Sequence, residues 1–163
     1  MNKRPFDIEE CICKGPLSEL ERLYMGEYLR SRGYHWEDLH KLPAEEEKML
    51  LLSLASLWHW TQREDCTPTN LSIGYWQVAR VYALLRQADQ AHRYGELCLE
   101  AAQKDGVLPF YRGYAYEALA RAEQVADNLD AMEKYLIQAH QIASALTEAD
   151  EKKQLLKDLA SIR

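Results

Sequence analysis

The feature that most constrains this chain is a recurrence. Tyr75-Trp76-Gln77-Val78-Ala79-Arg80-Val81-Tyr82 aligns with Tyr116-Glu117-Ala118-Leu119-Ala120-Arg121-Ala122-Glu123 after a shift of 41 residues. Tyr75/Tyr116, Ala79/Ala120 and Arg80/Arg121 are identical, and Val78/Leu119 are alike. The same offset places Tyr94 on Tyr135, Ala102 on Ala143 and Arg93 on Lys134. A register kept through two consecutive segments argues for one supersecondary unit built twice.

Periodicity says what the unit is. Within the motif, Tyr75, Val78, Ala79 and Tyr82 fall at helical spacing and make one packed stripe. Trp76 and Arg80, four apart, share a different face. Thr67-Pro68-Thr69-Asn70 breaks the chain and caps the helix that carries the first copy, which runs to about Gln87. A tight turn at Ala88-Asp89 leads into a helix with Ala91, Tyr94, Gly95, Cys98, Leu99 and Ala102. Asp105-Gly106 ends that helix, and Pro109 opens the helix of the second copy. This one stops near Asp127-Asn128; its partner runs from Leu129 to about Leu146, and Thr147 with Asp150 caps a last helix from Glu151 to Ile162.

The part before the repeat is also helical. Gly15-Pro16 follows a loose arm, and Ser18 with Glu21 makes a capping box ahead of a stripe of Leu17, Leu20, Leu23, Tyr24, Tyr28 and Leu29, stopped by Gly33. Residues 34–42 form a connector around Trp36 and Leu39. Pro43 then opens a helix whose interior, Leu50 to Trp58, is apolar nearly all round and is expected to be buried on more than one side. No alternating strand pattern occurs, and only seven Gly and five Pro interrupt the chain. The expected fold is all-α, one domain of six or seven helices. Its parts are an arm (1–15), an N-terminal helical cap (16–64), two helix pairs (71–146) and a C-terminal capping helix (148–162).

Composition narrows the function. With 47% hydrophobic and 28% charged residues the chain is an ordinary globular one. A net charge of −6 argues against a general nucleic-acid binder, which needs a basic face. No apolar stretch is long enough to span a bilayer, and the first residues lack the apolar run of a signal peptide. Cys11, Cys13, Cys66 and Cys98 do not read as a disulfide framework, so the expectation is a reducing, cytoplasmic protein.

The pairs at 71–146 resemble tetratricopeptide repeats. The large, small and aromatic positions of that family's first helix match Tyr75, Ala79 and Tyr82; in the second copy they match Tyr116 and Ala120, with Glu123 where the aromatic would stand. The small positions of its second helix match Ala91 and, loosely, Cys98, then Ala139, with Met132 replacing the other. The family repeats every 34 residues or so, and an offset of 41 implies about one extra turn per helix. The closing proline is missing. The stretch from Glu27 to Leu50 also resembles bacterial proteins without an assigned activity, and implies none. The tetratricopeptide likeness implies antiparallel helix pairs stacked as a short right-handed superhelix, the first helix of each pair lining a concave groove. Groove positions would be Ile73, Trp76, Arg80 and Ala83, then Tyr114, Glu117, Arg121 and Gln124.

Two guanidinium groups at one repeat position are the sharpest feature. On neighbouring parallel helices, Arg80 and Arg121 come within reach of one carboxylate or phosphate. The competing reading pairs them with Glu117 and other acids and makes them structural. Of the aromatics, Trp58 is assigned to the core, whereas Trp76 and Tyr114 are not needed by the packed stripe and are candidate anchors.

Other constellations are weaker. His35 and His40 lack the spacing of a helical metal pair, and no further ligand cluster accompanies them. His59, Asp65 and Cys66 lack a third positioned group for nucleophilic catalysis. Cys11-Ile12-Cys13 has no second pair, and glycine-rich phosphate loops are absent.

The function expected is therefore a non-enzymatic module without cofactor, metal or catalytic residues. It would bind a partner peptide or helix through Trp76, Arg80, Tyr114, Glu117, Arg121 and Gln124. The alternatives are a homodimer or larger self-assembly whose own copies fill the groove, and a small-ligand or enzymatic pocket near His59, Arg80 and Arg121.

Overall fold

A computed structural model describes residues 43–163. The arm, the capping box at Ser18 and Glu21, the stop at Gly33, the two Cys of the arm, and His35 and His40 lie outside the described residues. Six α-helices and no strand occur among those described: α1 (Pro43–Thr61), α2 (Pro68–Leu84), α3 (Ala88–Ala102), α4 (Pro109–Val125), α5 (Leu129–Ala145) and α6 (Ala149–Leu159).

The ends of these helices follow from local chemistry. At the start of α2 the Thr67 hydroxyl accepts from the Asn70 N–H, and the Asn70 side chain accepts from the Thr67 N–H, with Pro68 at the first turn. Pro109 likewise stands in the first turn of α4, whose N-cap Leu108 makes no side-chain hydrogen bond. The last helix differs from expectation. Glu148, not Thr147, is its N-cap, without a side-chain hydrogen bond, and the helix stops at Leu159.

Successive helices run antiparallel. In the first pair the Cys98 thiol donates to the Ser72 carbonyl at 3.2 Å, at the start of α2 and the end of α3. Farther along the pair, Tyr82 stacks on Tyr94, ring centroids 5.5 Å apart. The second pair repeats the scheme. Tyr75 meets Tyr94 at 6.3 Å, and their repeat equivalents Tyr116 and Tyr135 meet at the same 6.3 Å. The turns match as well. Arg86 and Asp127, again equivalent, both take left-handed φ (56° and 57°). Beside them the Gln87 N–H reaches back to Tyr82 O and the Asn128 N–H to Glu123 O, each at 2.9 Å. Both helices thus close in a Schellman turn. The 41-residue recurrence is a structural repeat.

Where the second copy departs, the structure supplies the reason. Glu123 stands where an aromatic closes the first copy. Buried to 7% exposure, it holds His92 Nδ1 of α3 at 2.6 Å and accepts from Asn128 Nδ2 at 2.8 Å. Its job is to tie the second pair to the first and to brace its own turn.

The pairs stack through small residues. α3 lies on α4 with Ala91 near Ala122 and Cys98 and Ala102 near Ala115, and a Cβ on Gly95 would come within 2.9 Å of Leu119 Cδ2. Such contacts let backbones approach closely. α2 also touches α4 directly, so first helices of the two pairs are neighbours.

α1 packs on α2 through Met49, beside Val81, and Leu57, against Gly74; with Ser53 and Trp60, also buried, they make a stripe spaced at three and four residues. Leu51 (58% exposed) and Trp58 (56%), seven apart, lie off that stripe. The expectation that Trp58 is core is corrected: the side of α1 that carries it and Leu51 is exposed.

Candidate functional site

The first helices do share a face. Trp76 of α2 meets Tyr114 of α4 edge-on, ring centroids 5.4 Å apart, and its indole N–H donates to Glu117 Oε2 at 2.9 Å. One turn further, Arg80 and Ala83 of α2 face Arg121 and Gln124 of α4 across a cavity of about 340 Å³. Arg86, Leu84, Val125 and Ser161 complete its walls. Each site residue expected from the sequence is therefore placed on, or against, one surface between α2 and α4.

What the sequence reading missed is where α6 packs. This helix lies against α4 as well as α5, and it occupies the Trp76–Tyr114 end of the surface. Leu155, Leu159 and Ile162 are buried there in a cluster with Tyr114, Ala120, Ala139 and Ala143, and Trp76 and Phe110 pack on it. Polar bonds fasten the same helix: Tyr114 OH donates to Asp158 Oδ2 at 2.6 Å, Arg121 Nη2 to Asp158 O at 3.0 Å and to Ser161 Oγ at 2.6 Å. Gln124 Nε2 donates to Arg163 O at 2.7 Å. The apolar spacing of residues 155, 159 and 162 marks an amphipathic helix, but nothing local says which face receives it.

Glu117 is the hub. It is 1% exposed, and its two oxygens accept separately from Trp76 and from Arg121 Nε. A carboxylate so deep needs both donors and the opposite charge, and receives them. Arg121, 6% exposed, thus pairs internally as well as lining the cavity beside Arg80. The structural reading of the paired arginines therefore holds at Arg121, which also borders the cavity. Burial and the Asp158 carboxylate raise the Tyr114 hydroxyl pKa, so this phenol stays a hydrogen-bond donor.

Burial pushes the Cys98 thiol up to about 12, well above the range of a nucleophilic cysteine. Among the described residues no group of three or more His, Cys, Asp or Glu is arranged to hold a metal. His59 is buried in α1 beside Trp58, and Cys66 is a free thiol after α1. No helix among the described residues is long and apolar enough to cross a membrane.

Searches against models of protein families, curated proteins and solved structures found no match to this chain.

Proposed function

We propose that this chain is a non-enzymatic, tetratricopeptide-like interaction module. Its helix pairs wind as a short right-handed superhelix, and the face between α2 and α4 receives a segment of a partner protein through an anionic group. One observation carries the reading: Arg80 and Arg121, equivalent in the repeat, line one cavity together with Arg86. Guanidinium forks around a concave space suit an acidic side chain or another oxyanion.

α6 decides where a partner docks. Burying each of Leu155, Leu159 and Ile162 is worth roughly 1.5–3 kcal/mol, so a competing segment would have to replace several kcal/mol to displace the helix. The partner therefore engages the arginine end first, and Trp76 and Tyr114 support that end from beneath α6.

The test is selection of segments from a random peptide display on the purified protein, followed by titration of enriched peptides against wild type and Arg80→Gln. Enrichment in Asp and Glu, with affinity lost in the variant, is expected. Enrichment without acidic residues sinks the reading. Free Cys66 and Cys98 fit a reducing compartment, and we place the protein in the cytoplasm.

A second reading has its own observation. Leu51 and Trp58 on α1, and Leu129 (58%) and Ile137 (48%) on α5, are large apolar side chains left exposed at opposite ends of the helix array. Self-association through them makes sedimentation mass rise with concentration and fall back in Trp58→Glu.

A further inference from the structure

We propose that the arginine cavity is a phosphoryl-binding site, taking a phosphate monoester on a partner's side chain or a free phosphate. The inference deepens the anion-binding reading above and names its ligand class.

Arg86 is the residue that points there. It sits at a left-handed backbone position with φ 56°, where a β-carbon is disfavoured and Gly, Asn or Asp is the usual occupant. Its repeat equivalent, with the same φ and the same turn, is Asp127. Backbone geometry therefore does not explain an arginine. The helix dipole does not explain it either, because copy two closes its first helix with an acid at this position. Three of the helix's last four carbonyls are already satisfied without it: Val81 O, Tyr82 O and Ala83 O accept from the N–H groups of Leu85, Gln87 and Arg86. The Arg86 side chain is exposed, lines the cavity, and is bonded to no described residue.

The donor set fits a group with three oxygens better than a planar carboxylate. A carboxylate is satisfied by one fork. Here Arg80, Arg86 and Arg121 approach from two helices and a turn, with the Gln124 carboxamide and the Ser161 hydroxyl beside them. Arg121 is already held by Glu117, Asp158 O and Ser161, so it forms a pre-set wall and not a mobile arm. A phosphate monoester carries about −1.5 to −2 charges near neutral pH, which suits several guanidiniums at once. The space of about 340 Å³ admits such a head group, and α6 closes the groove beyond it.

The experiment compares thermal shift and isothermal titration with inorganic phosphate, a phosphoserine peptide and its serine-to-glutamate counterpart, with sodium acetate at matched ionic strength as control. Wild type is set beside Arg86→Gly and Arg86→Lys. Arg86→Gly relieves the left-handed strain, so the fold is retained while the guanidinium is lost. Expected are a phosphate response absent in acetate, a phosphoserine peptide bound more tightly than the glutamate one, and a loss of about tenfold or more in Arg86→Gly. Arg86→Lys, which keeps the charge but not the fork, recovers only part of it. Tighter binding by the peptide than by inorganic phosphate assigns the source to a partner; the reverse assigns it to a free phosphate. Equal responses to phosphate and acetate, or unchanged phosphate affinity in Arg86→Gly, overturn the proposal. Binding of acidic peptides without any phosphate response overturns it too, while leaving the broader reading intact.

Discussion

Glu117 shows what a single side chain does here. It is nearly fully buried, bridges α2 and α4 through Trp76, and neutralises Arg121, which in turn holds α6. Glu117→Gln keeps an acceptor for the indole but removes the counter-charge of a buried guanidinium. The expected loss is roughly 1–3 kcal/mol in urea unfolding, and replacing both partners by methionine recovers much of it. If the double variant is no more stable than the single, the charge pairing is not what Glu117 contributes.

Cys98 gives a pH-dependent counterpart. Its folded thiol titrates near 12 against an ordinary 9.0, so the unfolded chain loses this proton first as pH rises. The contribution is fully present below about pH 9 and declines from there toward 12. Cys98→Ala should therefore show a shallower alkaline fall in urea midpoint between pH 8.5 and 11 than wild type. Parallel curves would discount the thiol.

At the scale of helices, the two Schellman turns and the close approach of α6 invite opposite substitutions. Asp127 is held at φ 57°, and Asp127→Gly is expected to stabilise by up to about 1 kcal/mol, read as a rise in thermal midpoint. At Gly113 a β-carbon would lie 2.5 Å from Leu155 Cδ2 and 3.4 Å from Ile142 Cγ2. Leu155 is fully buried and has little room to yield. Gly113→Ala should cost roughly 1–3 kcal/mol, and pairing it with Leu155→Val should cost less than the two separate losses together. Strict additivity would place the clash elsewhere.

At the scale of the whole molecule, α6 is the piece that covers part of the face between α2 and α4 and leaves the arginine-lined cavity beside it. A chain ending at Glu148 exposes Tyr114, Ala120, Ala139 and Ala143, which α6 covers. It should bind an apolar dye, melt at lower temperature, and recover both properties when a peptide spanning 149–163 is added. Failure of the peptide to restore either would mean that α6 contributes through its covalent attachment and not through the groove.

The recurrence carries information of short range, and the helical hairpins it implies are present. It aligns Tyr75 with Tyr116 and Tyr94 with Tyr135, whose contacts do repeat, places a turn after each first helix, and puts Trp76, Arg80, Tyr114, Glu117, Arg121 and Gln124 on the facing sides of their helices. Helical periodicity and cap chemistry depend on neighbours within a few residues, so they can be read directly from the chain. The exposure of Trp58 and the seat of α6 are not of that kind. An apolar side chain in a helix is buried only if another element arrives at its face, and an amphipathic helix states a need for cover without saying where. Trp76 reaches Glu117 across 41 residues, and Arg121 reaches Asp158 across 37. The sequence by itself determined the repeated helical hairpin and the face that bears the arginines. Only the tertiary structure decided that the chain's last helix would fill part of that face and leave Arg80, Arg86 and Arg121 at its mouth, because that choice is made by packing between segments far apart along the chain.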